Sequence, residues 1–166
     1  MSMRKVPLFV VERRRRNPSR RAPRYRISLV RETGGVYISS RRLVTARITY
    51  EVARPLFEDA DREMFYVLCL DAQLSTIGVN LVGIGTMSGA LINPAEVFKP
   101  AILLNSVTII CIHNHPSGNP QPSQSDRNLE QRLSHAGEIL GIRVKDFMVF
   151  GENSYFSFLD SGWLGV

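Results

Sequence analysis

Two uninterrupted apolar runs constrain this chain more than any other feature. Met64–Leu70 reads MFYVLCL and Val107–Ile112 reads VTIICI. A strand that is apolar at every position has no face to offer to water, so each run belongs inside a sheet covered on both sides. Neither run approaches the roughly 20 apolar residues of a membrane-spanning helix. Leu74–Ile84 reads as the antiparallel neighbour of the first run, with Asp71–Gln73 as the turn. Gly83 and Gly85 mark a bulge or a close backbone approach within it.

Helix signals fall between and after these runs. Asn93 is suited to an N-cap, Pro94 to the first helical position and Glu96 to the third position of a capping box. The helix they start should reach about Leu104. Ser123 starts another, with apolar positions Leu129, Leu133, Ala136, Ile139 and Leu140, and Gly141 ends it. Ile142–Phe150 and Tyr155–Leu159 read as two closing strands around a Gly151–Ser154 turn. Arg41–Ala60 is ambiguous: Val52, Leu56 and Phe57 have helical spacing, yet Pro55 argues against a long helix. Tyr25–Val30 and Val36–Ser40 could pair as a hairpin around Gly34-Gly35.

Charge divides the 166 residues unevenly. Residues 1–54 hold 15 Lys+Arg and 3 Asp+Glu, whereas residues 55–166 hold 6 and 12. Residues 1–26 read as a basic disordered arm, and residues 27–47 as a hairpin or extension. Arg13, Arg14, Arg15, Arg16, Arg20 and Arg21 could neutralise the phosphates of a nucleic acid; a plain solvated tail accounts for them equally. Arginines follow the short apolar stretch Val6–Val11 almost at once, which is not the pattern of a signal peptide. Cys69 and Cys111 make no disulfide framework and no cysteine-rich zinc site. The expected setting is cytoplasmic, without a membrane.

The chemistry concentrates after the second apolar run, in His113-Asn114-His115-Pro116-Ser117-Gly118-Asn119-Pro120-Gln121-Pro122. Residues two apart on an extended backbone point the same way, so the two imidazoles could converge on one ion. Asp126 follows in the first turn of the next helix. Two histidines and one carboxylate leave one zinc position open, as catalytic sites do. Each residue also has a plain structural reading. Ser123-x-x-Asp126 resembles a capping box, and the histidines could serve as loop donors to carbonyls. The letters His113-Asn114-His115 do not make an HNH nuclease, whose residues are spread over a ββα unit. His135 suits a surface or packing role, and Trp163 suits packing or anchoring of the tail.

His113-x-His115-x(7)-Ser123-x-x-Asp126 resembles the JAMM motif of MPN-type zinc metalloproteases, and the string HNHPSGNPQPSQSD resembles the signature of the RadC family within them. Glu63–Asp71, Gly85-Thr86, Asn93–Lys99, Leu140-Gly141-Ile142, Asp146 and Gly151 are similar to further segments of that family. The resemblance implies an α/β fold (α+β in stricter terms). Its mixed, curved sheet would pack between the helix after Pro94 and the helix after Ser123, and the domain would occupy residues 48–166. It implies one zinc per chain on His113, His115 and Asp126, with Glu63 as general base and then acid. Ser123 would help to stabilise an oxyanion. The implied activity is hydrolysis of a peptide or isopeptide bond in a peptide or protein substrate. The rival expectation is a DNA-associated repair accessory that uses the basic arm and a structural or vestigial metal site. A metal-dependent nuclease is a further alternative. The chain departs from the family pattern at Ala95, where an arginine is usual, and at Phe147, where a histidine is usual. The helix-hairpin-helix region of longer members is expected to be missing.

Overall fold

The computed structural model describes residues 41–85 and 92–165. The expected basic arm, with Arg13 to Arg16, Arg20 and Arg21, lies outside the described residues, as do the expected hairpin and Thr86.

The described chain runs α1 (Ala46–Ala53), a 3-10 turn (Arg54–Phe57), β1 (Met64–Leu70), β2 (Thr76–Ile84), α2 (Pro94–Leu103), β3 (Thr108–Asn114), α3 (Gln124–Leu140), β4 (Arg143–Phe150) and β5 (Tyr155–Ser157). The five strands form one sheet in the order β2-β1-β3-β4-β5. β1 pairs antiparallel with β2 and with β3, β3 pairs parallel with β4, and β4 pairs antiparallel with β5. This is a mixed sheet of the α/β class, and both apolar runs occupy interior strands.

The sheet is covered on both faces, as those runs require. Phe65, Val67, Cys69, Ile109, Cys111, Phe147 and Val149 pack with Val97, Phe98 and Ala101 of α2 and with Leu129 and Leu133 of α3. Tyr66, Leu68, Leu70, Ile110, Ile112, Met148 and Phe150 pack with Ala46, Val52 and Ala53 of α1 and with Leu56. The two helices expected to enclose the sheet therefore share one face, and α1 covers the other. Thr45 caps α1 by accepting from Ile48 N–H at 3.3 Å. Pro55 leaves α1 intact because it stands at the start of the following 3-10 turn, where its missing N–H costs nothing. The boundary expected at residue 48 falls inside α1, and Leu43 is already in the core.

Local chemistry sets the other boundaries. Phe65 pairs with Gly83 but Tyr66 with Leu81, so Val82 is the extra residue of a bulge. Asn93 caps α2 by accepting from Ala95 N–H at 3.0 Å. Glu96 does not close the expected capping box; its carboxylate holds Lys99 Nζ at 2.6 Å. On α3 the buried stripe is Asp126, Leu129, Glu130, Leu133 and Gly137. Ile139 and Leu140 were expected to be apolar contacts but are exposed, because the stripe ends at Gly137. There a Cβ would come within 2.6 Å of the Ile142 carbonyl oxygen. Gly141 ends the helix in the left-handed region at φ 67°. Trp163 packs on Phe156 and Phe158, with the Arg127 guanidinium 3.9 Å above its ring. His135 is exposed beside Glu138. Among the described residues no helix is long and apolar enough to cross a membrane.

Candidate metal centre

β3 delivers two imidazoles to one place. His113 is on the strand and His115 is just beyond its end, so alternation turns both toward the face covered by α2 and α3. The parallel β3–α3–β4 crossover brings the first turn of α3 back over that face. Asp126 stands in that turn. His113 Nε2 lies 3.2 Å from His115 Nε2 and 3.1 Å from Asp126 Oδ1, and His115 Nε2 lies 3.5 Å from Asp126 Oδ2. The side chains of His113 and Asp126 are 1% and 5% exposed and that of His115 is 15% exposed, so the centre opens on the His115 side.

The two imidazoles are oriented by different means, His115 by its second ring nitrogen and His113 by packing. His115 Nδ1 lies 2.9 Å from the Asn119 carbonyl oxygen. A carbonyl only accepts, so Nδ1 carries the hydrogen and Nε2 presents its lone pair to the centre. The loop between them is held by Gly118 N–H donating to His115 C=O and by Glu152 N–H donating to Gly118 C=O. His113 is wedged between a stacked Phe65 and an edge-on Phe147, at centroid distances of 6.0 and 5.4 Å. Its Nδ1 is buried without a hydrogen-bond partner among the described residues.

Both plain readings of Ser123 and Asp126 hold alongside this geometry. Ser123 Oγ accepts from Asp126 N–H at 3.2 Å, and Ser123 N–H donates to Asp126 Oδ2 at 2.7 Å, which completes a capping box. Ser123 Oγ also donates to Asp126 Oδ2 at 2.7 Å. Burial alone would raise the Asp126 carboxyl, but the bonds from His113, His115 and Ser123 outweigh it and hold the carboxyl far below its ordinary range. His115 is shifted upward, first by its bond to Asp126 and least by the charge of Glu63.

Strand register carries the backbone of Glu63 alongside the centre. Phe65 pairs with His113 in the antiparallel β1–β3 ladder, so the same register continued by two residues sets Glu63 across from His115. The Glu63 carbonyl accepts from Gly85 N–H at 2.8 Å, where Gly85 has φ 110°. Cys69 and Cys111 are free and buried; burial pushes the Cys69 thiol up to about 12 and that of Cys111 higher still, so neither offers a thiolate. The sequence did not reveal the Asn119 carbonyl as the partner of His115, because a backbone oxygen carries no residue signature.

The donor set fits a zinc ion. Tetrahedral ligands at zinc distances stand about 3.3 Å apart. The three separations here are 3.1, 3.2 and 3.5 Å, from two neutral-capable imidazoles and one carboxylate.

Residues 43–163 match the family model described as the RadC-like JAB domain. Among curated proteins, the chain is 45% identical over 104 residues to a UPF0758 protein of Thermotoga maritima, covering 63% of this chain and 47% of that protein. It is 35% identical over 124 residues to a UPF0758 protein of Methanosarcina barkeri, covering 75% and 54%. It is 38% identical over 139 residues to one of Rubrobacter xylanophilus, covering 84% and 59%. The chain thus spans about half the length of the curated relatives it matches.

Proposed function

Since the chain belongs to the RadC family of JAB-type (MPN) domains, we propose that it is a zinc-dependent hydrolase of amide bonds, peptide or isopeptide. The observation that carries this reading is the convergence of His113 Nε2, His115 Nε2 and Asp126 within 3.5 Å of one another. Zinc bound by these three residues supplies Lewis acidity toward a substrate carbonyl and toward water. Glu63 takes the proton of the attacking water and returns it to the leaving amine. Ser123 is the proposed oxyanion donor; its hydroxyl, now given to Asp126 Oδ2, turns toward the substrate when it acts. The Asn119 carbonyl keeps His115 in the tautomer that binds through Nε2.

The test is metal analysis of the purified protein together with a peptide-hydrolysis assay. About one zinc per chain is expected. Glu63→Gln should keep the zinc and lose roughly 100-fold or more in rate. Stoichiometric zinc retained by a His113→Ala, Asp126→Ala double variant sinks the site.

The excess of arginine in residues 1–26 supports a second proposal, that the protein is a DNA-associated accessory binding nucleic acid through this segment, with a structural or vestigial metal site. DNA affinity measured across a salt series, with and without residues 1–26, tests it. An unchanged affinity and salt slope after removal would exclude the arm as a DNA-binding device.

A further inference from the structure

The residue between the two histidines faces the other way. Alternation that turns His113 and His115 toward α2 and α3 turns Asn114 to the opposite side of the sheet, where it is 7% exposed. Its carboxamide there makes two bonds to one short stretch of backbone. Asn114 Oδ1 accepts from Met64 N–H at 2.8 Å, and Asn114 Nδ2 donates to the Arg62 carbonyl at 3.1 Å. Arg62 and Met64 are the residues on either side of Glu63. The amide orientation follows from the partners, since the flipped form would set donor against donor and acceptor against acceptor.

We infer that Asn114 is a positioning residue that fixes Glu63 relative to the two histidines; this role rests on the one proposed above for Glu63. The last paired residues of the β1–β3 ladder are Phe65 and His113, and Glu63 lies beyond them. On its other side this end of β1 is held by β2, where Met64 pairs with Ile84 and the Glu63 carbonyl accepts from Gly85 N–H; toward β3 the backbone ladder stops. The Asn114 side chain continues the ladder past that point by offering one donor and one acceptor, as a peptide group does. Both peptides that flank Glu63 are thereby tied to a residue covalently joined to His113 and to His115. The proton-moving carboxylate and two metal ligands then share one short rigid frame. Aspartate would keep the acceptor but lose the donor, and an aliphatic residue of similar size would lose both. A displacement of about 1 Å at a reacting group costs on the order of 100-fold in rate. A clamp on the Glu63 backbone is therefore worth far more to proton transfer than to stability.

The test compares Asn114→Ala, Glu63→Gln and the double variant in the full chain loaded with cobalt(II), whose visible absorption reports the surroundings of the metal. Three results are expected. Asn114→Ala still binds about one metal per chain, because no ligand is touched. Its Met64 amide loses about tenfold of its hydrogen-exchange protection, while the amides of Ile110 and Ile112 keep theirs. Its cobalt spectrum shifts as that of Glu63→Gln does, and the double variant shifts no further. A cobalt spectrum that Asn114→Ala leaves unchanged, where Glu63→Gln alters it, overturns the inference. If Glu63→Gln itself is silent, Glu63 is not at the metal and the role of Asn114 falls with it; that control variant alone identifies this case. Should the alanine variant fail to fold, Asn114→Ser, which keeps a polar group but is too short to span the Met64 N–H and the Arg62 carbonyl as the carboxamide does, carries the same comparison.

Discussion

Asp126 divides its carboxylate between two tasks: Oδ2 accepts from Ser123 N–H and Oγ at 2.7 Å, while Oδ1 faces His113 Nε2 at 3.1 Å. The cap and the candidate ligand are one side chain, and variants can separate them. Ser123→Ala should cost about 1 kcal/mol of stability, the usual loss of a helix cap, and keep one zinc per chain. Asp126→Ala should lose the zinc and also destabilise the metal-free protein by about 1–2 kcal/mol. Urea unfolding with and without chelator, alongside metal analysis, distinguishes the two.

Gly151 lies directly beneath the loop that follows and supports His115. A Cβ there would overlap the Gly118 carbonyl oxygen and come within 2.9 Å of Pro120 Cδ. The backbone oxygen cannot rotate away, so the loop must lift and the Asn119 support of His115 must move with it. Gly151→Ala should therefore weaken zinc binding by roughly 10- to 100-fold, as loss of an outer-shell partner does. Competition with a chromogenic chelator measures this, and an unchanged affinity would show that the loop position is not set at Gly151.

Metal removal should register in stability. A ligand that binds only the folded chain stabilises it by about 2.7 kcal/mol at a free concentration 100 times Kd. Chelation should lower the melting midpoint of the wild type by several degrees. The same treatment of His113→Ala should leave its midpoint in place.

Asp146 gives a pH dependence away from the centre. It is 2% exposed and accepts from Phe147 N–H, Leu159 N–H and Ser157 Oγ–H. Burial nonetheless outweighs those donors and raises its carboxyl from 3.8 to about 6. The folded chain thus holds a proton that the unfolded chain has released between these values. Stability contributed by the protonated form is complete below about pH 4 and is lost as pH rises through 6. The loss is on the order of 1–3 kcal/mol. Asp146→Asn can keep all three bonds, with the Ser157 hydroxyl turned to accept. Relative to wild type it should gain stability between pH 4 and pH 7. Urea midpoints at pH 4.5 and 7.5 that move in parallel for both proteins would remove Asp146 as the cause.

The elements that sequence reading recovers best are those with local signals. β1 and β3 declare themselves by unbroken apolar runs, and α2 and α3 by Asn93, Ser123 and Gly141 at their ends. Strand alternation likewise suggests that His113 and His115 converge, but it is the resemblance to the RadC motif that sets Asp126 beside them rather than leaving it a plain capping residue. Legibility ends where a fact depends on partners distant in the chain. Nothing near Ala46–Ala53 says that this helix covers the sheet face opposite α2 and α3. Glu96 could turn back to its cap or forward to Lys99, and a lysine one turn on decides it. Bonds to backbone carbonyls, such as that from His115 Nδ1–H to Asn119, have no sequence code at all.

The alternation of β3 also gives the chain an arithmetic. His113 and His115 reach the centre because each is an even number of steps from Ile109 and Cys111, whose side chains fill the core on that same face. A single residue gained or lost between Thr108 and His113 would exchange the two faces and offer the centre an asparagine in place of two imidazoles. Two residues gained would restore the facing but carry it past the start of α3. Within β3, the identity of the site residues and the number of residues before them therefore act as one constraint.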